Sequence, residues 1–250
     1  MANALFNYIL RLADSTIILA QRDAEWTGHG PYLEEDLALT NIALDLFGRG
    51  KALLEYAAKL EAKGRTEDDL AFFRSERQYF NAIITELPKG DYAFTMLRHA
   101  IVDTFDLLLY SALMSSTDET LKGIASKTCK EIQYHQRHSF AWIKRFGLGT
   151  EESARRVSDA LEQLWPFTDD LFDQAPAEVD LINAGIIPDR SSLKPAWQNH
   201  ILNLFNEVHL KPNTEAFMQS GSIKGIHTEH LGHLLAEMQA LPRMYPNATW

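Results

Sequence analysis

Between Pro31 and Pro88, and again between Pro88 and Pro166, the chain contains no proline. Windows of that length are filled comfortably only by α-helices. The breaks fall where helix ends are chemically favoured. Gly28-His29-Gly30-Pro31 stops a first helix over about 4–26. A second, over about 33–63, opens on Glu34, Glu35 and Asp36 and closes on Lys63-Gly64, a charge order that suits the helix dipole. Pro88-Lys89-Gly90-Asp91 is a turn before a third helix over about 92–115, and a fourth covers about 120–146. Two pairs of long helices, each joined by a short turn, describe an antiparallel four-helix bundle. The connection between the pairs carries its own helix, about 70–86, as a crossover does. Extra C-terminal helices are predicted over about 151–172, 193–208 and 227–241. The alternating pattern of strands is absent, so the expectation is one all-α domain over residues 1–250.

Acids on these apolar helices are the informative feature. Asp14 lies between Leu10 and the pair Ile17-Ile18, and Asp45 between Ile42 and Leu46-Phe47. Asp103 shares a helical line with His99, Asp106 and Tyr110, and Glu131 shares one with Lys127, His135 and His138. Folding each pair about its turn suggests that Asp14 approaches Asp45 and Asp103 approaches Glu131, all at similar depth. Such a set is what a carboxylate-bridged di-iron site in a ferritin-like bundle needs, together with a Glu-x-x-His on two helices. Here the histidines are missing. Position 48, three after Asp45, is glycine; position 134, three after Glu131, is tyrosine, with His135 one residue late. Buried carboxylates without metal need cations or donors around them. The expectation is therefore no metal in this chain and an ion-pair and hydrogen-bond network, a vestige of a metal site, at Asp14, Asp45, Asp103, Glu131 and His135. The plainer alternative, that these acids are surface or ordinary ion-paired groups, stays open.

Of the 250 residues, 46% are apolar, and 24 Lys+Arg against 34 Asp+Glu leave a net charge of −10. Nucleic acid and anionic membrane both demand a basic face, so neither is an expected partner. The single cysteine, Cys129, allows no internal disulfide and no cysteine metal cluster. The N-terminal stretch lacks a signal-peptide pattern and no window of about 20 residues is free of charge, so a cytoplasmic location is expected.

Several stretches are similar to a known family: Gln21-Arg-Asp-Ala-Glu-Trp-Thr-Gly-His-Gly30, Asp36-Leu-Ala-Leu-Thr-Asn-Ile-Ala-Leu-Asp45, Glu76-Arg-Gln-Tyr79, Gly225-Ile-His-Thr-Glu-His-Leu-Gly232 and Leu234-Leu-Ala-Glu-Met-Gln239, with the terminal Trp250. They resemble the C subunits of the ring-1,2-phenylacetyl-CoA epoxidases of phenylacetate catabolism, nearly end to end. The resemblance implies a ferritin-like fold and a structural, non-catalytic role beside a homologous A subunit that holds the di-iron centre. It also implies a small B subunit and a reductase carrying NADPH, flavin and iron–sulfur chemistry.

The resemblance makes Glu76, Arg77, Gln78 and Tyr79 a candidate contact for phenylacetyl-CoA, shared with the A subunit: arginine suits phosphate and tyrosine suits stacking. The alternative is an ion-paired crossover helix packed on its own bundle. His227, His230 and His233, at steps of three, diverge around a helix instead of converging on one ion, so helix-start packing and capping is the preferred reading. Two other functions compete with the structural-subunit reading: an active di-iron oxygenase using Asp14, Asp45, Asp103, Glu131 and His135, and a free-standing acyl-CoA-binding bundle.

Overall fold

The computed structural model describes residues 2–246 and residue 248; Trp250 lies outside the described residues. In chain order the α-helices are α1 (Ala2–Ala24), α2 (Leu33–Glu61), α3 (Glu67–Phe72), α4 (Ile83–Glu86), α5 (Tyr92–Leu113) and α6 (Glu119–Gly147), then α7 (Glu151–Leu164), α8 (Val179–Asn183), α9 (Lys194–Glu207), α10 (Glu229–Met238) and α11 (Ala240–Met244). Among the described residues no strand occurs, and no helix is long and apolar enough to cross a membrane. The fold is all-α and ferritin-like, with additional helices beyond the two long pairs α1–α2 and α5–α6. The residues group into two compact units, Met1–Pro88 with Gly221–Trp250, and Lys89–Ser220.

In the first unit, α1 and α2 run antiparallel around the turn at Gly30. A Cβ at Gly30 would fall 2.6 Å from Asp36 Cα, and the Gly30 N–H donates to Asp36 Oδ2 at 3.0 Å. Only glycine allows the chain that close to the start of α2. The predicted helix over 70–86 is instead two short helices, α3 and α4, flanking a 3-10 turn at Glu76–Gln78. The reason lies on α1. Asp14 takes the Phe80 N–H at 2.9 Å and Ser15 Oγ takes the Ala82 N–H at 3.0 Å, so these amides bond across to α1 and no helix runs through them. The C-terminal segment returns to this unit, where Ile18, Tyr79, Leu231, Leu234 and Leu235 form one apolar cluster.

In the second unit, α5 is buried around most of its circumference from Tyr92 to Phe105. Asp91 caps it by accepting the Phe94 N–H at 2.9 Å, and Asp118 caps α6 through Leu121 at 2.9 Å. Predicted to reach residue 172, α7 stops at Leu164. Pro166 cannot supply the next amide donor, and 3-10 turns at Trp165–Phe167 and Asp169–Phe172 follow. Trp197 on α9 packs against Trp165 and Phe172, with centroids 6.0 and 5.3 Å away, and donates its indole N–H to Ile101 O at 3.0 Å.

Candidate functional site

The Thr66–Asp69 capping box starts α3, and the helix ends just before Arg74. Released from helical geometry, Arg74 turns inward. Its two terminal nitrogens grip both oxygens of Asp14: Nη1 donates to Oδ2 at 3.0 Å and Nη2 donates to Oδ1. Asp14 is 1% exposed and Arg74 3%. Arg74 also donates to the carbonyls of Leu70 and Gln78, and its guanidinium lies 4.1 Å from the centre of the Tyr79 ring. Burial works against the guanidinium charge, but Asp14 outweighs it and holds the Arg74 pKa above its ordinary value. Burial pushes the Tyr79 phenol up to about 12, against the pull of Arg74. The pair is thus bidentate, with the Tyr79 ring against one face of the guanidinium.

A second buried centre lies at Glu86. Its carboxylate accepts from Asn81 Nδ2 and His227 Nδ1, each at 2.8 Å, and from the Thr228 N–H and hydroxyl at 2.6 and 2.9 Å. Arg22 donates through Nη2 to the Glu86 carbonyl at 2.7 Å and reaches His230 O at 3.4 Å. Glu86 therefore ties α1 and the crossover segment to the entry of α10. Sequence reasoning passed over it, because His227 and Thr228, which hold its carboxylate beside the nearby Asn81, are 141 and 142 residues away. His227 acts ahead of α10, at its entry, and His233 is exposed.

Side-chain contacts give the register of the long helices. A Cβ on Gly50 would meet Ile17 Cδ1 at 2.4 Å, and the Thr27 and Thr40 hydroxyls lie 3.3 Å apart. By that register Asp14 is level with Leu53 and Asp45 with Arg22, about two turns or ~12 Å apart along the axis. The expectation that the turn brings Asp14 to Asp45 is corrected. Asp45 is partly exposed and Gly48 exposed. In the second unit, Gln136 Nε2 donates to Thr104 Oγ1 at 3.0 Å, and Ser111 Oγ lies 3.9 Å from Cys129 Sγ. Asp103 is then level with Arg137, within about 3 Å of the level of His135 but ~9 Å from that of Glu131. Asp103 and His135 are buried, and His99 Nδ1 lies 3.3 Å from Asp103 Oδ2. Glu131 sits towards the surface, 3.9 Å from Lys127. Among the described residues no three or more His, Cys, Asp or Glu side chains are grouped to hold a metal ion. The donor set does not fit a carboxylate-bridged di-iron centre: Asp14 is spent on Arg74 and Phe80, and Gly48 offers no imidazole.

Within the candidate acyl-CoA contact, Glu76, Arg77 and Gln78 are exposed, whereas Tyr79 is 1% exposed and its hydroxyl donates to Ala71 O. Tyr79 is corrected from a stacking platform to a core residue, because its ring packs under Arg74. The same stretch receives the C-terminal segment. A Cβ on Gly225 would lie 2.4 Å from Arg77 O and one on Gly232 2.9 Å from Glu76 Oε2. The motifs at 21–30, 76–79 and 225–232 therefore meet in one place, where they hold the returning segment.

The family described as "Phenylacetic acid catabolic protein" matches residues 1–250. The chain is 43% identical over 248 residues to the C subunit of the 1,2-phenylacetyl-CoA epoxidase of Escherichia coli (strain K12), covering 99% of this chain and 100% of that protein.

Proposed function

This chain is a member of the phenylacetic acid catabolic protein family, and from that premise we propose that it is the structural, non-catalytic subunit of a multicomponent phenylacetyl-CoA epoxidase. In this reading a separate catalytic A subunit holds the di-iron centre, and a B subunit and a reductase with NADPH, flavin and iron–sulfur chemistry complete the system. The observation that carries it is Asp14, whose two carboxylate oxygens face Arg74 and the Phe80 N–H. A guanidinium stands beside the first-helix acid, where a cofactor-bearing bundle would place a cation. The four-residue run from Asp45 to Gly48 supports the same reading, since glycine has no side chain to ligate iron.

Iron analysis tests this directly. The chain purified alone is expected to carry far less than one iron per protein, and its complex with an A-type subunit to carry iron in proportion to that subunit. Near-stoichiometric iron in the chain alone, with epoxidation by it and a reductase, would establish the di-iron oxygenase reading instead. For the substrate, Arg77 is the exposed cation of the proposed phenylacetyl-CoA contact. Arg77→Ala is expected to weaken acyl-CoA binding by the assembled pair of A-type and structural chains several-fold, and unchanged affinity would remove this segment from the site.

A further inference from the structure

Three helices of the first unit turn side chains into one cavity. Ile17 and Gln21 stand one turn apart on α1, and Phe47, Lys51 and Leu54 follow one another along one side of α2. Glu67, Asp68, Ala71 and Phe72 come from α3. Gly50 lets α1 and α2 close up at this level, since a Cβ there would fall 2.4 Å from Ile17 Cδ1. Lys51 ties α3 to α2 by donating to Glu67 at 2.8 Å. The space left between the three helices is about 200 Å³ and opens to solvent.

Volume and walls restrict what can fill it. Ile17, Phe47, Leu54, Ala71 and Phe72 make the interior apolar, and the two phenyl rings are only half-buried. The core face of α2 is separately satisfied by Leu39, Ile42, Leu46 and Leu53. An apolar cavity of about 150 Å³ is enough to take benzene, so this one has room for an aromatic ring with a short chain attached. Phenyl walls favour an aromatic guest, which they can meet edge to face or offset.

Charge restricts the occupant further. Lys51, the cation among the lining residues, is already shared by Glu55 and Glu67. Asp68 is exposed and takes part in no ion pair among the described residues. Glu55, Glu67 and Asp68 thus outnumber Lys51 around the mouth. Such a rim repels carboxylates and phosphates and attracts an ammonium group. The Phe47 and Phe72 rings add the attraction of an aromatic face for a cation.

We propose that this cavity is a binding site for a small arylalkylamine: one aromatic ring on a short chain that ends in an ammonium group. The ring lies between α1, α2 and α3, and the ammonium meets the Asp68 carboxylate. The site is independent of the structural-subunit reading, and its rim charge sets it apart from the phosphate-recognising contact proposed at Arg77.

The test is calorimetric titration of the full chain at neutral pH with phenethylamine, a cation there, and with phenylacetate, an anion of similar size. Wild type is compared with Ala71→Leu, which narrows the cavity, and with Asp68→Asn, which removes the unpaired rim charge. Thermal melts check that each variant folds. Wild type is expected to bind the amine saturably, and phenylacetate about tenfold more weakly or not at all. Ala71→Leu is expected to abolish amine binding, and Asp68→Asn to weaken it about two- to fivefold, as befits one exposed ion pair. Absence of saturable amine binding by wild type overturns the proposal, and so does equal affinity for phenylacetate. Amine binding unchanged in either folded variant overturns it as well. Asp68→Asn, altered at an exposed position, decides the question if Ala71→Leu does not fold.

Discussion

His227 is held between Glu86 and the backbone of Tyr79: Nδ1 lies 2.8 Å from Glu86 Oε2 and Nε2 lies 2.9 Å from the Tyr79 carbonyl oxygen. A carbonyl only accepts, so Nε2 donates to Tyr79, while Nδ1 faces a Glu86 carboxylate oxygen. With both ring nitrogens set against oxygen acceptors, these surroundings favour the protonated imidazole. Burial lowers the His227 pKa, but the hydrogen bond and charge of Glu86 more than offset it, and the net shift is upward from 6.5.

A raised pKa on a cationic group stabilises the folded state below the unfolded value, and that stability is lost as pH rises through the folded value. Stability of the returning C-terminal segment is thus expected to be full below about pH 6.5 and to decline above it, by ~1.4 kcal/mol per unit of upward shift. Hydrogen exchange of 229–238, corrected for intrinsic rates, measures it. His227→Gln is expected to flatten the profile; a wild-type profile already flat up to about pH 9 would contradict the cationic assignment.

Removing one member of the Asp14–Arg74 pair strands a buried charge. Arg74→Met is expected to destabilise by about 3–5 kcal/mol in urea unfolding. The double variant Asp14→Leu/Arg74→Met is expected to lose less than either single change, since no buried charge is then stranded and only neutral backbone groups, the Phe80 N–H and the Leu70 and Gln78 carbonyls, lack these partners, at about 1–3 kcal/mol for an unsatisfied group. A double variant as unstable as the sum of the singles would show that the two side chains do not act as a pair.

Gly225 has φ 66° and no room for a Cβ beside Arg77 O. Gly225→Ala is expected to destabilise by about 1–3 kcal/mol and to open the C-terminal segment to limited proteolysis before the rest of the chain. Cleavage no faster than in wild type would mean that the close approach does not hold the segment.

In the second unit, Trp197→Phe keeps most of the ring packing and removes the donor to Ile101 O. A loss of about 0.5–1.5 kcal/mol is expected, whereas Trp197→Ala adds a cavity and should cost about 3–5 kcal/mol. Chemical denaturation of the two variants separates these terms.

The long helices are legible in the sequence because their signals are local. Asp91 and Asp118 cap from within their own turns, Pro166 ends α7 by lacking an N–H, and the gap between Pro31 and Pro88 leaves room for α2. The crossover segment reads in sequence as one helix, since the groups that break it, Asp14 and Ser15, come from α1. Tyr79 misleads for a related reason: an aromatic beside two arginines looks like a binding patch until the fold turns one arginine inward. Glu86 is not legible in the sequence, because apart from Asn81 its carboxylate's donors, His227 and Thr228, are far away in the chain.

From the sequence alone come the all-α class, the helix pairs, the family and the missing histidine at Gly48, all carried by residues acting on near neighbours or by the order of motifs. Tertiary structure alone decides what each acid does. Asp14 sits in an ion pair, away from the level of Asp45, because its counter-charge lies 60 residues on and the α1–α2 register separates the two acids. Charge pairing depends on distance in space, and helical spacing gives that distance within one helix and leaves open which helix comes to meet it.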